Sequence, residues 1–158
     1  MLSGPGTLAH YLGKGKFPEY SVLSKNLVPC CSKCNSKKGE KFLSENGNRA
    51  FISFYFDKLP QRSFFVVELD IDEDVPYIKN MYTTSNNGNN IDEIIKTHFK
   101  KLELFDRYKE PMSNRLASLI SNIDKSGHSR EDIIVDLESE FTALEKLYGQ
   151  SYMECSLY

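Results

Sequence analysis

The segment from Thr7 to Lys41 concentrates the residue types that bind metals and phosphates. Three of the four cysteines, Cys30, Cys31 and Cys34, fall within five positions. Thiols this close together do not form the disulfide framework of a secreted protein, and they are typical of metal binding or of reduced thiols. The cysteines therefore point to a metal site or to a protein of a reducing compartment, for which the cytoplasm fits best.

The basic residues of the chain are also concentrated near its start. Residues 1–42 contain seven lysines and two glutamates, a net charge of +5, whereas the whole chain carries −2. The remainder must then carry −7, which gives a basic head on an acidic body. A summed charge near zero would argue against a nucleic-acid partner, but this asymmetry leaves the head available for one.

The basic head, residues 1–42, is predicted to contain a strand, a long loop, a second strand and a helix, in that order. Thr7 to Leu12 predicts a short strand, and the glycines and proline that follow it predict a loop. Asn26 to Pro29 predicts a second extended segment. Ser32 to Lys41 has the small polar start and lysine-rich end of a short helix that stops near Gly39. These elements would bring the polar residues of the head together.

Three matches in this order resemble the HNH (ββα-metal) endonuclease pattern. A histidine, His10, ends the first strand, the pair Asn26-Leu27 opens the second, and Cys31-x-x-Cys34-Asn35-x-x-Lys38-Gly39 begins the helix. Within that superfamily the chain is most similar to bacterial HNH proteins of anti-phage systems of the Septu and retron type. The runs Tyr55 to Asp57 and His98 to Tyr108 have counterparts there as well.

The resemblance assigns roles to three residues. It implies that His10 is the general base, Asn26 ties the loop to the strand and orients His10, and Asn35 is a metal ligand. Hydrolysis of a phosphodiester needs a water made nucleophilic and a divalent ion, Mg²⁺ or Mn²⁺, on the phosphate oxygens. An imidazole suits the base because its unperturbed pKa is ~6.5. The alternative is that His10 is a core or surface histidine with no functional role.

The chain departs from the family pattern at Ala9, where the family has an aspartate that ligates the metal. A hard divalent cation prefers charged oxygen, so affinity should fall unless Glu19, a partner chain or the substrate phosphate supplies the charge. Gly13 likewise stands where the family often has proline. The sequence is consistent with a naturally inactive protein and with an alanine introduced to trap an inactive state.

Cys31 and Cys34 have the spacing of two ligands of a tetrahedral zinc site. In related HNH proteins a second Cys-x-x-Cys upstream completes that site, and this chain, which we expect to be truncated relative to the family, lacks it. Cys30 and Cys155 are the other thiols. A reduced, packed cysteine turn is favoured over structural Zn²⁺.

Five lysines of the head are the candidate contacts to nucleic acid. Lysine runs are usually a solvated face, but Lys37 and Lys38 lie on the helix that faces substrate in the family, which favours binding. The five candidates are Lys14, Lys16, Lys33, Lys37 and Lys38.

The rest of the chain predicts an antiparallel sheet followed by helices. Three strands are expected from aromatic and β-branched clusters at 51–56, 63–69 and 77–82, and an exposed hinge at 85–90. Three amphipathic helices should follow: one from Ile91 to Phe105, one opened by Pro111 and ended by Gly127, and one capped by Ser129 with Asp132 and stopped at Gly149. The acidic run from Asp70 to Asp74 predicts a charged turn, and His98 and His128 predict structural or surface roles.

We therefore expect an α+β protein with an HNH ββα-metal module at 1–45, then a short antiparallel β region and a C-terminal helical bundle at 46–158. No apolar run is long enough for a membrane span or signal peptide. The expected function is metal-dependent endonuclease activity on DNA or RNA, as effector of an anti-phage complex with a partner ATPase. The alternative is a degenerate subunit that binds nucleic acid or that ATPase without cleavage.

Overall fold

The computed structural model describes residues 6–60, 63, 65–73, 75–83 and 90–148, without the side chains of residues 126 and 148. Within these residues the protein is α+β, with two small antiparallel sheets and four helices. In chain order the elements are β1 (Thr7–His10), β2 (Leu27–Cys30), α1 (Ser32–Lys38), β3 (Phe65–Asp72), β4 (Val75–Thr83), α2 (Asn90–Leu102), α3 (Leu104–Ser126) and α4 (Arg130–Tyr148). The expected hinge at 85–90, apart from Asn90, and the expected stop at Gly149 lie outside the described residues.

The chain forms two compact units that interleave along the sequence. The first unit spans Met1–Leu59 and Ser85–Leu104, and the second spans Pro60–Thr84 and Phe105–Tyr158. The expected boundary near residue 45 differs from this division, because the chain returns to the first unit with α2. Nothing in the described helices is long and apolar enough to cross a bilayer.

The first unit is built on a strand pair with a helix against it. β1 pairs with β2 in antiparallel register from Thr7 opposite Cys30 to His10 opposite Leu27. α1 packs against β1 and α2 packs against α1. The apolar face of α2 is buried, as its spacing predicts. The buried apolar residues of this unit are Ala9, Ala50, Phe51, Ile52, Ile94, Ile95, Phe99, Leu102 and Leu104.

The strand expected at 51–56 is absent from the structure, and this prediction was wrong. Phe51, Ile52 and Ser53 are buried without a strand partner, and residues 54–56 form a turn whose side chains are exposed. Backbone N–H groups of Phe56 and Asp57 both donate to the carbonyl of Ser53, which closes the turn. Aromatic content raised the β propensity of the segment, but packing and local hydrogen bonds decided its conformation.

The second unit contains a β-hairpin and two helices. β3 and β4 pair along their whole length with an irregularity at Glu68 and Leu69. The turn expected from Asp70 to Asp74 is shorter than predicted, because Asp70 and Asp72 belong to β3 and Glu73 lies in the turn, while Asp74 lies outside the described residues. The buried core includes Ile78, Met112 and Leu116. Pro111 does not open a helix, contrary to expectation, but lies inside α3.

Burial explains why α3 continues through a proline. Tyr108, Met112, Leu116 and Ile120 follow one another at the four-residue spacing of one helix face; Met112 and Leu116 are buried, and Tyr108 and Ile120 are partly buried and pack against their cluster. Proline in a helix interior costs about 3 kcal/mol relative to alanine. The apolar burial along this face offsets that cost.

The connection between α3 and α4 follows the predicted capping pattern. Gly127 has a φ of 62°, the left-handed conformation that ends helices and that glycine adopts without strain. Ser129 accepts a hydrogen bond from the backbone N–H of Asp132, whose carboxylate accepts from the Ser129 N–H and hydroxyl. This reciprocal arrangement is a capping box.

Candidate functional site

His10 lies at the end of β1, half-buried, beside the long loop that joins the two strands. Its Nε2 is 3.1 Å from the carbonyl oxygen of Ser21 in that loop. A carbonyl oxygen can only accept a hydrogen bond, so Nε2 must carry the proton. In the neutral ring Nδ1 is then the basic nitrogen, and the loop fixes both the tautomer and the ring orientation.

Asn26 holds that loop in place. Its side chain is buried, its Oδ1 accepts from the Leu12 N–H at 2.7 Å, and its Nδ2 donates to the carbonyls of Leu12 at 3.1 Å and Tyr20 at 3.0 Å. Its own carbonyl accepts from the Tyr11 N–H at 2.8 Å. Four hydrogen bonds from one residue therefore close the loop onto the end of β1. Because Ser21 lies in this loop, Asn26 supports the acceptor that orients His10.

Two side chains of α1 fasten the helix along β1. The Nδ2 of Asn35 donates to the hydroxyl of Thr7 at 3.3 Å, and the Nζ of Lys38 donates to the carbonyl of His10 at 2.5 Å. One bond lies at each end of the strand. The helix position therefore depends on both residues, and the backbone of His10 is tied to α1. His10 and Asn35 reach different partners and do not converge on a common atom.

Lys38 is a buried cation. Its ammonium also donates to the Gly39 carbonyl at 3.3 Å and lies 5.6 Å from the centre of the Phe51 ring. Burial lowers the pKa of Lys38, while the nearby Glu40 and Cys30 oppose that shift. An ammonium engaged in this way is not available to a phosphate, so we leave Lys38 out of the proposed contacts.

The other candidate lysines have different surroundings. Lys37 forms an ion pair with Glu103, which partly neutralises it. Lys14, Lys16 and Lys33 are exposed. Of the five candidates, these three have the exposure that phosphate contact requires.

The residues present do not fit a divalent cation. Side chains alternate along a strand, so Ala9 shares a face of β1 with Thr7, the partner of Asn35. Ala9 is only 5% exposed, and its methyl group offers no ligand there. The neutral amide of Asn35 is the oxygen donor on this face, whereas Mg²⁺ and Mn²⁺ prefer carboxylates.

The cysteines also fall short of a closed zinc site. Cys31 caps the N-terminus of α1, and its Sγ accepts from the Cys34 N–H at 3.5 Å. Cys30 Sγ lies 3.6 Å from the Thr7 hydroxyl. None of these three cysteines forms a disulfide, and all three are half-buried. In the described residues no three His, Cys, Asp or Glu side chains gather with metal-ligand geometry, and Cys155 lies outside them.

Two parts of this site have no signature in the sequence. The Ser21 carbonyl is a backbone group, so residue type gives no hint of it. Lys38 was predicted as a phosphate contact because it lies on the helix that faces substrate in the family, and residue type alone does not indicate that its side chain is buried.

No family model, curated protein or solved structure matches this chain. The resemblance to HNH nucleases therefore rests on the sequence motifs alone.

Proposed function

We propose that the first unit is an HNH-type nuclease module that hydrolyses phosphodiester bonds in DNA or RNA. The main support for this proposal is the loop between β1 and β2, which Asn26 holds in place and whose Ser21 carbonyl orients the ring of His10. The ring proton of Nε2 is held by Ser21 and the loop by Asn26, so that Nδ1 has a fixed direction. The loop thus leaves Nδ1 as the nitrogen of the neutral ring that can accept a proton, as a general base requires.

In the proposed reaction His10 acts on water. Its Nδ1 accepts a proton from a water molecule while the water oxygen forms a bond to phosphorus. The bond from phosphorus to the leaving oxygen breaks, and that oxygen takes a proton from solvent. The exposed Lys14, Lys16 and Lys33 would hold neighbouring phosphates and place the scissile bond.

A second candidate function is binding without cleavage. It is favoured by the buried methyl group of Ala9, because the charge that grows on the phosphate oxygens then lacks a bound metal ion. In that case the unit keeps its shape to hold nucleic acid or a partner protein. The resemblance to anti-phage HNH proteins suggests an ATPase as that partner.

Restoring a carboxylate at position 9 tests the proposal. We expect Ala9→Asp to gain Mg²⁺- or Mn²⁺-dependent cleavage of plasmid DNA or tRNA. Leu8→Asp is the matched control, because Leu8 is 56% exposed and points to the opposite face of β1. Adding His10→Ala to Ala9→Asp should then lower the rate by about 100-fold or more.

The outcomes separate the two candidates. Cleavage that rises with Ala9→Asp but not with Leu8→Asp, and that disappears when His10→Ala is added, supports the nuclease. A folded Ala9→Asp protein that cuts neither DNA nor RNA with either metal leaves binding as the function of the unit. Circular dichroism of each variant checks the fold.

A further inference from the structure

Three consecutive aromatic side chains are exposed on one turn of the first unit. Residues Ser53 to Asp57 form this aromatic turn, in which Phe54 is 54% exposed, Tyr55 49% and Phe56 67%. Large rings next to one another in water carry a cost in free energy, and exposed apolar patches mark surfaces that bind something. The proposed hydrolysis gives these rings no role.

Hydrogen bonds of the Asp57 carboxylate fix the conformation of the turn. The carboxylate of Asp57 accepts the Ser53 N–H at 2.8 Å with one oxygen and Arg49 at 2.8 Å with the other. Ser53 is buried, and the Asp57 side chain is only 8% exposed. The hydrogen bond to Asp57 is the main reason that the pKa of Arg49 is raised. The backbone that carries the three rings is thus fixed before any ligand arrives, which lowers the entropic cost of binding.

The aromatic turn is attached to the strand pair that carries His10. The Tyr55 hydroxyl donates to the carbonyl of Leu27 at 3.2 Å, and Leu27 is the partner of His10 across β1 and β2. The Nζ of Lys25 lies 5.6 Å from the centre of the Phe56 ring, and Lys25 itself is exposed. One exposed cation therefore accompanies the rings, a short distance along the chain from Asn26.

Charge decides which ligand fits. The first unit contains 12 basic and 7 acidic residues, a net charge of +5. Flat rings accompanied by lysine on a positively charged unit suit a polyanion with exposed flat faces. Unpaired nucleotides have both features, whereas the bases of a duplex are stacked on each other.

We propose that the aromatic turn is a stacking platform for unpaired bases, so that the first unit prefers single-stranded or looped nucleic acid over duplex. This inference deepens the proposed function and rests on it for the link to cleavage. Rings such as Phe56 stack on bases of any sequence, and Lys25 contacts the adjoining phosphate.

The chain contains no tryptophan, so Phe56→Trp introduces a single fluorescent reporter at the platform. The probes are a ~12-nucleotide oligothymidine and a blunt duplex of the same length, titrated into the full chain. Fluorescence of the Trp variant reports stacking, and polarisation of labelled probes gives the affinity of wild type, Phe56→Ala and Phe56→Leu. Tyr82→Ala is the matched control, because Tyr82 is a 46% exposed ring in the second unit.

The proposal requires tighter binding of oligothymidine than of duplex and quenching of the Trp signal by oligothymidine. It also requires that Phe56→Ala and Phe56→Leu weaken single-strand binding by roughly 5- to 100-fold, with Tyr82→Ala unchanged. Equal affinities of wild type and Phe56→Ala would overturn it. So would a change in self-association on Phe56→Ala without a change in binding, which would make the turn a protein interface.

The same titrations keep the two proposals apart. If Phe56→Ala has no effect while binding still depends on Lys14 and Lys16, the stacking platform fails and the nucleic-acid function stands. If neither probe binds, both fail.

Discussion

At the scale of single residues, His10 and His98 of the first unit have contrasting surroundings. His10 is half-buried, with its tautomer set by the loop. His98 on α2 is buried against the rings of Phe51, Phe54 and Phe99, and its Nδ1 accepts the Ile52 N–H at 3.2 Å. The sequence predicted a structural or surface role for His98, and the structure shows that its side chain is buried.

The environment of His98 predicts a pH-dependent stability. Burial lowers the pKa of His98 to about 4 from an ordinary value of 6.5. Above pH 6.5 the ring is neutral in both states and its contribution is fully present. As pH falls from 6.5 to 4, His98 takes up a proton in the unfolded chain but not in the folded chain, so the free energy of unfolding decreases. The total loss should be about 3 kcal/mol.

His98→Gln provides the comparison, because its amide oxygen can still accept the Ile52 N–H but does not titrate. We expect urea unfolding of the wild type to lose stability between pH 6.5 and 4 more steeply than the variant. Carboxylates and the other histidines titrate in both proteins and cancel in the difference. Parallel pH profiles would show that folding does not lower the pKa of His98.

At the scale of elements, the sequence predicted what local chemistry determines. β1, β2 and α1 lie close to their predicted positions, because the effects of glycine, proline and capping residues extend over only a few positions. The segment at 51–56 and Pro111 did not follow local rules, since burial of Phe51 and of the Met112 face outweighed propensity. Within the site, the family resemblance singled out His10 and Asn26, whereas the hydrogen bond of Lys38 depends on its three-dimensional surroundings.

The conformation of the loop after β1 requires glycine at position 13, because a side chain there would collide with Glu40. A Cβ added at Gly13 would lie 2.9 Å from the Cα of Glu40 and 2.0 Å from its carboxylate oxygen. At Gly15 it would meet only the end of that flexible side chain, at 3.3 Å. Backbone cannot yield as a side chain can, so Gly13→Ala should destabilise the first unit by about 1–3 kcal/mol and Gly15→Ala by less.

Thermal or urea unfolding of the two variants measures this difference. Gly15→Ala controls for the general effect of replacing a loop glycine, which by itself reduces the entropy of the unfolded chain. Equal stabilities of the two variants would mean that Glu40 moves away at little cost. The same loop carries Ser21, so the His10 ring should also lose order in Gly13→Ala, as seen by its NMR line shape.

At the scale of the whole molecule, charge divides the two units. The first carries +5, while the second contains 8 basic and 15 acidic residues and carries −7. The sequence revealed this asymmetry, although it placed the boundary near residue 45 instead of assigning α2 to the first unit. The segment 85–104 contributes no net charge, because its three lysines are balanced by Asp92, Glu93 and Glu103. The positive charge therefore comes from the residues before Leu59.

Exposed lysines on the positively charged first unit should make its affinity for nucleic acid depend on salt. Each phosphate that a lysine neutralises contributes about −0.9 to the slope of log affinity against log salt on duplex DNA, and about −0.7 on a single strand. Lys14 and Lys16 are exposed, so replacing both by Ala should make the slope shallower by about 1.8 on a duplex and about 1.4 on a single strand. Affinity should fall about equally for all sequences. Lys38 stays unchanged because its ammonium holds the His10 carbonyl.

Lys96→Ala with Lys100→Ala is the matched control, since both lysines are exposed on α2 in the same unit and their loss changes net charge equally. Titrations of the three proteins at several salt concentrations measure the slopes. A contact to phosphate changes the slope only where the lysine touches the strand, whereas a general field acts through net charge wherever the lysine lies. Equal changes in both double variants would therefore mean that the lysines before β2 act only as part of the overall field and form no defined contacts.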